Sequence, residues 1–174
     1  AVCDLTNASE SCGSGTCVFG ACWGGFGNCD GNPANGCEAD LMASVGACGS
    51  CAKACSFANA VATCVAGVCQ LGACAPGYAS CDGQTANGCE TSLATVTNCG
   101  ACGLVCDLAN ATESCSTGAC AITTCSSGFA SCDAMQSTGC EAALSSPSSC
   151  GLCANDCTDN GWPNVAGYTC SAGT

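Results

Sequence analysis

The sequence predicts a small disulfide-rich tandem-repeat protein, with short β-hairpins and irregular loops strung into an elongated rod and little helix. Three observations predict it. Cysteine supplies 26 of the 174 residues, a density that marks a disulfide scaffold in an oxidising compartment. The gaps between cysteines recur with a period of 51 or 52 residues. Large side chains are scarce, with four Phe, two Trp, two Tyr and two Met. Without a large apolar core, each small repeat depends on cross-links or on its neighbours.

The first cycle, residues 1–54, holds Cys3, Cys12, Cys17, Cys22, Cys29, Cys37, Cys48 and Cys51, and Cys55 opens the next. Its intervening gaps are 8, 4, 4, 6, 7, 10, 2 and 3 residues. The second cycle, residues 55–105, holds Cys55, Cys64, Cys69, Cys74, Cys81, Cys89, Cys99 and Cys102. The third, residues 106–156, holds Cys106, Cys115, Cys120, Cys125, Cys132, Cys140, Cys150 and Cys153. Both later cycles repeat the gaps except that 9 replaces 10. Residues 157–174 break the pattern: twelve residues, not eight, separate Cys157 from Cys170. That tail reads as a terminal cap or a partial fourth repeat, since end repeats differ where a stacking face meets solvent. Trp162 and Tyr168 lie in it and are candidate subunit contacts. The even cysteine count permits thirteen disulfides. Their pairing stays open, because eight cysteines in one repeat already allow roughly a hundred connectivities.

Each repeat opens with an eight-residue spacer that carries an Asn-Ala pair (Asn7-Ala8, Asn59-Ala60, Asn110-Ala111) and one apolar slot (Leu5, Phe57, Leu108). The slot is the expected plug of a cysteine-lined interior. The spacer itself fits a short helical turn or an irregular loop, and periodicity cannot choose over so few positions. A C-x4-C-x4-C ladder follows, with Gly15, Gly67 and Gly118 in its first gap and β-branched residues such as Val18, Val68 and Ile122. It predicts a hairpin. Phe26, Tyr78 and Phe129 come next, each after a glycine, and are expected to pack on the disulfides.

The third segment reads NCDGNPANGCE over 28–38, SCDGQTANGCE over 80–90 and SCDAMQSTGCE over 131–141. Asp-Gly and Asn-Gly predict tight turns, because glycine accepts positive φ and Asn or Asp caps local amides. The oxygen donors Asp30, Asn32, Asn35 and Glu38, with Asn28 alongside, and Asp82, Gln84, Asn87 and Glu90 are also candidates for weak calcium binding. Calcium takes six to eight such oxygens, roughly, in flexible geometry. These loops lack the several carboxylates of a tight site, so turn formation is the leading reading. No other cofactor is expected.

A C-G-x-C pair ends each repeat (Cys48 and Cys51, Cys99 and Cys102, Cys150 and Cys153). Redox activity would need a strand-to-helix setting and a lowered thiolate pKa, and neither is evident, so structural disulfides are expected. Zinc or iron–sulfur ligation is disfavoured by the even cysteine count and the absence of histidine. Asn7-Ala8-Ser9 and Asn110-Ala111-Thr112 are N-glycosylation acceptors in shared phase, making Asn7 and Asn110 candidate modified residues; Asn59-Ala60-Val61 is not one.

Thirteen acids against Lys53 alone give a net charge of −12, which argues against nucleic acid and anionic membranes as partners. No apolar run reaches the roughly eighteen residues of a membrane span. A chain that begins two residues before its first repeat cysteine suggests a mature, cleaved protein. There is no histidine base, no carboxylate pair across a cleft, no phosphate loop and no nucleophile elbow, so no enzyme is expected.

GFGNCDGNPANGCEADL at 25–41, GYASCDGQTANGCETSL at 77–93 and CGACGLVC at 99–106 together resemble tandem cysteine-rich repeats of large secreted or surface proteins of myxobacteria and related bacteria. The likeness covers most of 3–157 and weakens in the third repeat, where Ala134 and Thr138 replace Gly and Asn. The resemblance implies an extracellular location and a structural or adhesive role, and brings no enzymatic activity. The sequence therefore reads as a structural protein, a subunit or segment of a disulfide-stabilised, glycosylated filament or surface layer whose partners are copies of itself. A secreted adhesion or glycan-binding module is the alternative.

Overall fold

The computed structural model describes residues 3–157 and 169–170. It has the disulfide-rich, repeat-like architecture of paired antiparallel hairpins expected from the sequence. Among the described residues the only helices are three-residue 3-10 turns at Thr85–Asn87, Gln136–Thr138 and Pro147–Ser149. No helix there is long and apolar enough to cross a membrane. The chain divides into two compact units, Ala1–Glu90 and Thr91–Thr174.

In the first unit, β1 (Ala8–Gly13) pairs antiparallel with β2 (Thr16–Cys22). After it come the short pair β3 (Phe26–Gly27) and β4 (Ala39–Asp40). The second hairpin is β5 (Ala60–Val65) with β6 (Val68–Cys74), and β7 is Tyr78–Ala79. The second unit holds β8 (Thr91–Ser92), then the pair β9 (Ala94–Thr95) and β10 (Asn98–Cys99). The third hairpin joins β11 (Ala111–Cys115) to β12 (Cys120–Cys125), and β13 (Phe129–Ala130) pairs with β14 (Ala142–Ala143).

The eight-residue spacer is neither a helical turn nor a plain loop. Its second half is the first strand of the hairpin. The recurring asparagine makes the entry: Asn7, Asn59 and Asn110 have φ of 49°, 47° and 52°, a left-handed conformation that Asn tolerates better than most residues. A bulge follows in each hairpin, at Ala8/Glu10, Ala60/Ala62 and Thr112/Glu113, and sharpens the local twist.

The interior is sulfur. The largest fully buried side chains are Cys37, Cys48, Cys89, Cys99, Cys140 and Cys150. Leu5, Phe57 and Leu108 are half-buried, so the expected plug is peripheral and the cysteines themselves fill the centre. Phe26 and Phe129 are half-buried, whereas Tyr78 is exposed. The third segment presses onto the spacer: Cys37, Cys89 and Cys140 donate their amides to the carbonyls of Thr6, Ala58 and Ala109 at 2.7, 2.8 and 2.7 Å. The glycine before each of these cysteines has positive φ, and a Cβ there would collide with that crossing backbone. This close approach, as well as turn formation, fixes Gly36, Gly88 and Gly139.

Candidate functional site: the disulfide junctions between repeats

All but two of the 26 cysteines are disulfide-bonded. Within a repeat the first cysteine bonds the third: Cys3–Cys17, Cys55–Cys69 and Cys106–Cys120. The fourth bonds the sixth: Cys22–Cys37, Cys74–Cys89 and Cys125–Cys140. The fifth bonds the eighth in Cys29–Cys51 and Cys132–Cys153, and Cys81 and Cys102 are also disulfide-bonded. The seventh reaches forward to the second cysteine of the next repeat: Cys48–Cys64, Cys99–Cys115 and Cys150–Cys170. The two cysteines of a C-G-x-C pair thus face different partners. One closes its own repeat and the other staples the next.

Cys64 lies opposite Cys69 across its hairpin, as Cys115 lies opposite Cys120. Neither pair bonds directly, because each member is taken by a sulfur arriving from outside the hairpin. The Sγ atoms of Cys48, Cys55 and Cys69 lie within 4.8 Å of one another, and so do those of Cys99, Cys106 and Cys120. Their grouping has the compactness of a metal site. The sulfurs are already in disulfides, however, and metal ligation needs thiolates.

The backbone closes each junction. Cys64 Sγ sits 3.8 Å from the Leu41 carbonyl oxygen and 3.5 Å from that of Met42, and Cys115 Sγ sits 3.5 Å from Leu93 O. Gly67 N donates to Met42 O at 3.2 Å. A Cβ on Gly49 would stand 2.5 Å from Gly67 O, and one on Gly100 would meet Gly118 O in the same way. Backbone therefore meets backbone at both junctions.

Cys12 and Cys157 carry no disulfide, so thirteen bridges do not form within one chain. Cys12 is a second cysteine, the position that bonds a seventh cysteine in Cys48–Cys64 and Cys99–Cys115. Cys157 is a first cysteine, the position that bonds a third in Cys3–Cys17, Cys55–Cys69 and Cys106–Cys120.

The acidic loops are built as turns. Asp30 accepts from Asn32 N at 2.8 Å and from Asn35 Nδ2 at 2.7 Å, while Asn32 Oδ1 accepts from Ala34 N at 3.1 Å. Glu38 Oε1 accepts from the amides of Cys29 and Asp30 at 2.7 and 3.0 Å. In the second repeat Asp82 accepts from Gln84 N at 2.8 Å and Asn87 Nδ2 at 2.8 Å, and Glu90 Oε1 accepts from Cys81 N at 2.9 Å. The third keeps the scheme without the Gly and Asn: Asp133 accepts from Met135 N and the Thr138 hydroxyl, and Glu141 from Cys132 N. The amide of Asn32 and then the side chain of Asn35 hold the Asp30 carboxyl below the usual aspartate value. Both Asp30 oxygens thus serve amide donors, and among the described residues no cluster of three carboxylates forms. Asn28 Oδ1 is buried without a hydrogen-bond donor; Ser80 and Ser131 replace that residue in the other repeats.

The sequon asparagines have a second role that sequence reading missed. Asn7 Nδ2 donates to Cys37 O and Asn110 Nδ2 to Cys140 O, both at 3.2 Å. Their own carbonyls accept from Trp23 N and Ser126 N at 2.9 and 2.8 Å. Asn59, in no sequon, makes the same two contacts with Cys89 and Ala75. The shared phase is therefore a requirement of the fold, and the signal for it was the asparagine that recurs without its Ser or Thr. Trp162 and Tyr168 lie outside the described residues.

No family model, no curated protein and no solved structure matches this chain.

Proposed function

We propose that the chain is a structural, non-catalytic extracellular protein, a subunit or segment of a disulfide-stabilised filament or surface layer. The observation that carries this reading is the forward staple. Three successive seventh-to-second disulfides recur, and in each the second cysteine's Sγ lies against a leucine carbonyl, that of Leu41, Leu93 or Leu144. A junction that repeats itself has no intrinsic end, and head-to-tail contacts that do not close generate fibres. The disulfide density suits an oxidising exterior, and the resemblance to bacterial surface repeats points the same way. Sugar on Asn7 and Asn110 would add solubility. One N–H remains on a glycosylated amide and is sufficient for the bond to Cys37 or Cys140. Negative-stain electron microscopy of the purified protein tests the reading, with filaments expected; monodisperse single chains at all concentrations would overturn it. Intact-mass measurement tests the glycans.

A second reading, adhesion to glycans or surfaces, is favoured by Trp23, which is 57% exposed. An exposed indole is a ready stacking platform for sugars. Quenching of Trp23 fluorescence by soluble oligosaccharides would support it.

A further inference from the structure

We propose that the first hairpin carries the open half of a repeat junction. Its occupant is the C-G-L-C loop of a second copy, and Cys12 bonds Cys150 of that copy by displacing Cys170. This rests on the filament reading and specifies its covalent joint.

The internal junctions define what belongs on this face. Cys64 and Cys115 are each 7% exposed, bonded to Cys48 and Cys99, and covered by the preceding C-G-x-C loop. Cys12 occupies the same hairpin position, opposite Cys17, and is exposed and unbonded. Gly67 and Gly118 have the preceding Gly49 and Gly100 within 3.4 Å of an added Cβ, whereas an added Cβ on Gly15 meets nothing within 4 Å. The first hairpin is thus complete in sequence and fold but lacks the loop that its equivalents hold.

The complementary half is preformed at the other end. Gly151 N donates to Leu144 O at 2.9 Å, as Gly49 and Gly100 donate to Leu41 and Leu93 at 2.8 and 2.9 Å. Cys150 N donates to Asn155 O at 2.9 Å, matching Cys48 to Lys53 and Cys99 to Leu104 at 2.7 and 2.8 Å. Cys157 N donates to Pro147 O at 2.8 Å, matching Cys55 to Val45 and Cys106 to Val96 at 2.7 Å. Cys170 fills the hairpin cysteine's place, 3.4 Å from Leu144 O. Cys157 beside this loop carries no disulfide, whereas its equivalents Cys55 and Cys106 bond Cys69 and Cys120 of the hairpin that fills each internal junction. The first hairpin of another copy brings Cys17 bonded to Cys3, just as the hairpins that fill the internal junctions carry Cys69 bonded to Cys55 and Cys120 bonded to Cys106.

The step is thiol–disulfide exchange and needs no oxidant. The Cys12 thiolate attacks Cys150 Sγ. The Cys12–Cys150 bond forms as the Cys150–Cys170 bond breaks, and Cys170 leaves as a thiolate that takes up a proton. Each joint consumes one thiol and releases one.

The test uses the intact oxidised chain, incubated in mildly alkaline buffer, quenched with an alkylating agent, and run on a non-reducing gel. A ladder of covalent multimers is expected. Peptide mapping should find Cys12 linked to Cys150, with the label moved from Cys12 to Cys170. Cys12→Ser should abolish the ladder, and Cys157→Ser should preserve it; neither residue is bonded within the chain, so both variants keep its disulfides. A Cys12–Cys157 link, a ladder that survives Cys12→Ser, or multimers whose Cys12 is still fully alkylated would overturn the inference. Filaments seen by electron microscopy with Cys12 free would overturn it while leaving the proposed function intact. The absence of any polymer would overturn both.

Discussion

Replacing Gly100 by alanine isolates the backbone contact that joins two repeats. Gly100 has a φ of 77°, and an added Cβ runs into the carbonyl oxygen of Gly118 in the next hairpin. Gly103, three residues on, has a φ of 71° and nothing within 4 Å of an added Cβ. Both substitutions incur the left-handed penalty of an L-residue, about 1–2 kcal/mol. Only Gly100→Ala adds overpacking against main chain, which cannot rotate aside and costs about 1–3 kcal/mol. The junction contact is therefore worth about 1–3 kcal/mol as the difference between the variants. Guanidinium unfolding with the disulfides intact measures it, and both variants must retain the full disulfide map. Limited reduction offers a local readout, since Cys99–Cys115 should reduce faster in Gly100→Ala while Cys106–Cys120 is less affected. Equal destabilisation by the two substitutions would refute the claim that the repeats touch through this glycine pair.

Three further outcomes follow from the same geometry. Replacing both Cys48 and Cys64 by serine opens a staple with a sequence separation of 16 residues, and should lower stability by about 3 kcal/mol in denaturant unfolding. Asn59→Ala loses both a tolerant left-handed residue and the bond to Cys89 O, and should cost about 1–3 kcal/mol by the same measurement, although no glycan can be involved. The Asp30 carboxyl titrates below its ordinary value of 3.8, so its contribution is present above that pH and is lost as pH falls through the lower folded value. Carboxyl carbon shifts read by NMR should show this depression, and Asn35→Ala should reduce it. The same occupied oxygens lead us to expect that millimolar calcium leaves the melting temperature unchanged; a clear rise would favour the calcium reading over turn formation alone.

Much of the local structure was legible because it depends on neighbours in sequence. Gly15, Gly67 and Gly118 between paired cysteines announce the hairpin turns, and Asp30 and Asp82 before glycine announce the Asx turns. The spacer was harder to read. Whether Ala8 to Cys12 becomes a strand depends on Asn7 turning the chain and on Thr6 being crossed by the Gly36 segment, a contact thirty residues away. The structural role of the recurring asparagine was hidden for the same reason: Asn7 and Asn110 are held by carbonyls of Cys37 and Cys140, which the local sequence does not reveal.

The sequence by itself determined the period, the hairpins, the tight turns and the shortage of any core other than cysteine, because spacing, glycine and side-chain size are properties of the chain. Only the tertiary structure decided which sulfurs meet. Cys64 and Cys69 face each other across a hairpin and still bond Cys48 and Cys55, since pairing follows the approach of whole backbone segments and not proximity along the chain. That approach turns the C-G-x-C sequence into a junction, and it leaves Cys12 and Cys157 without partners in their own chain.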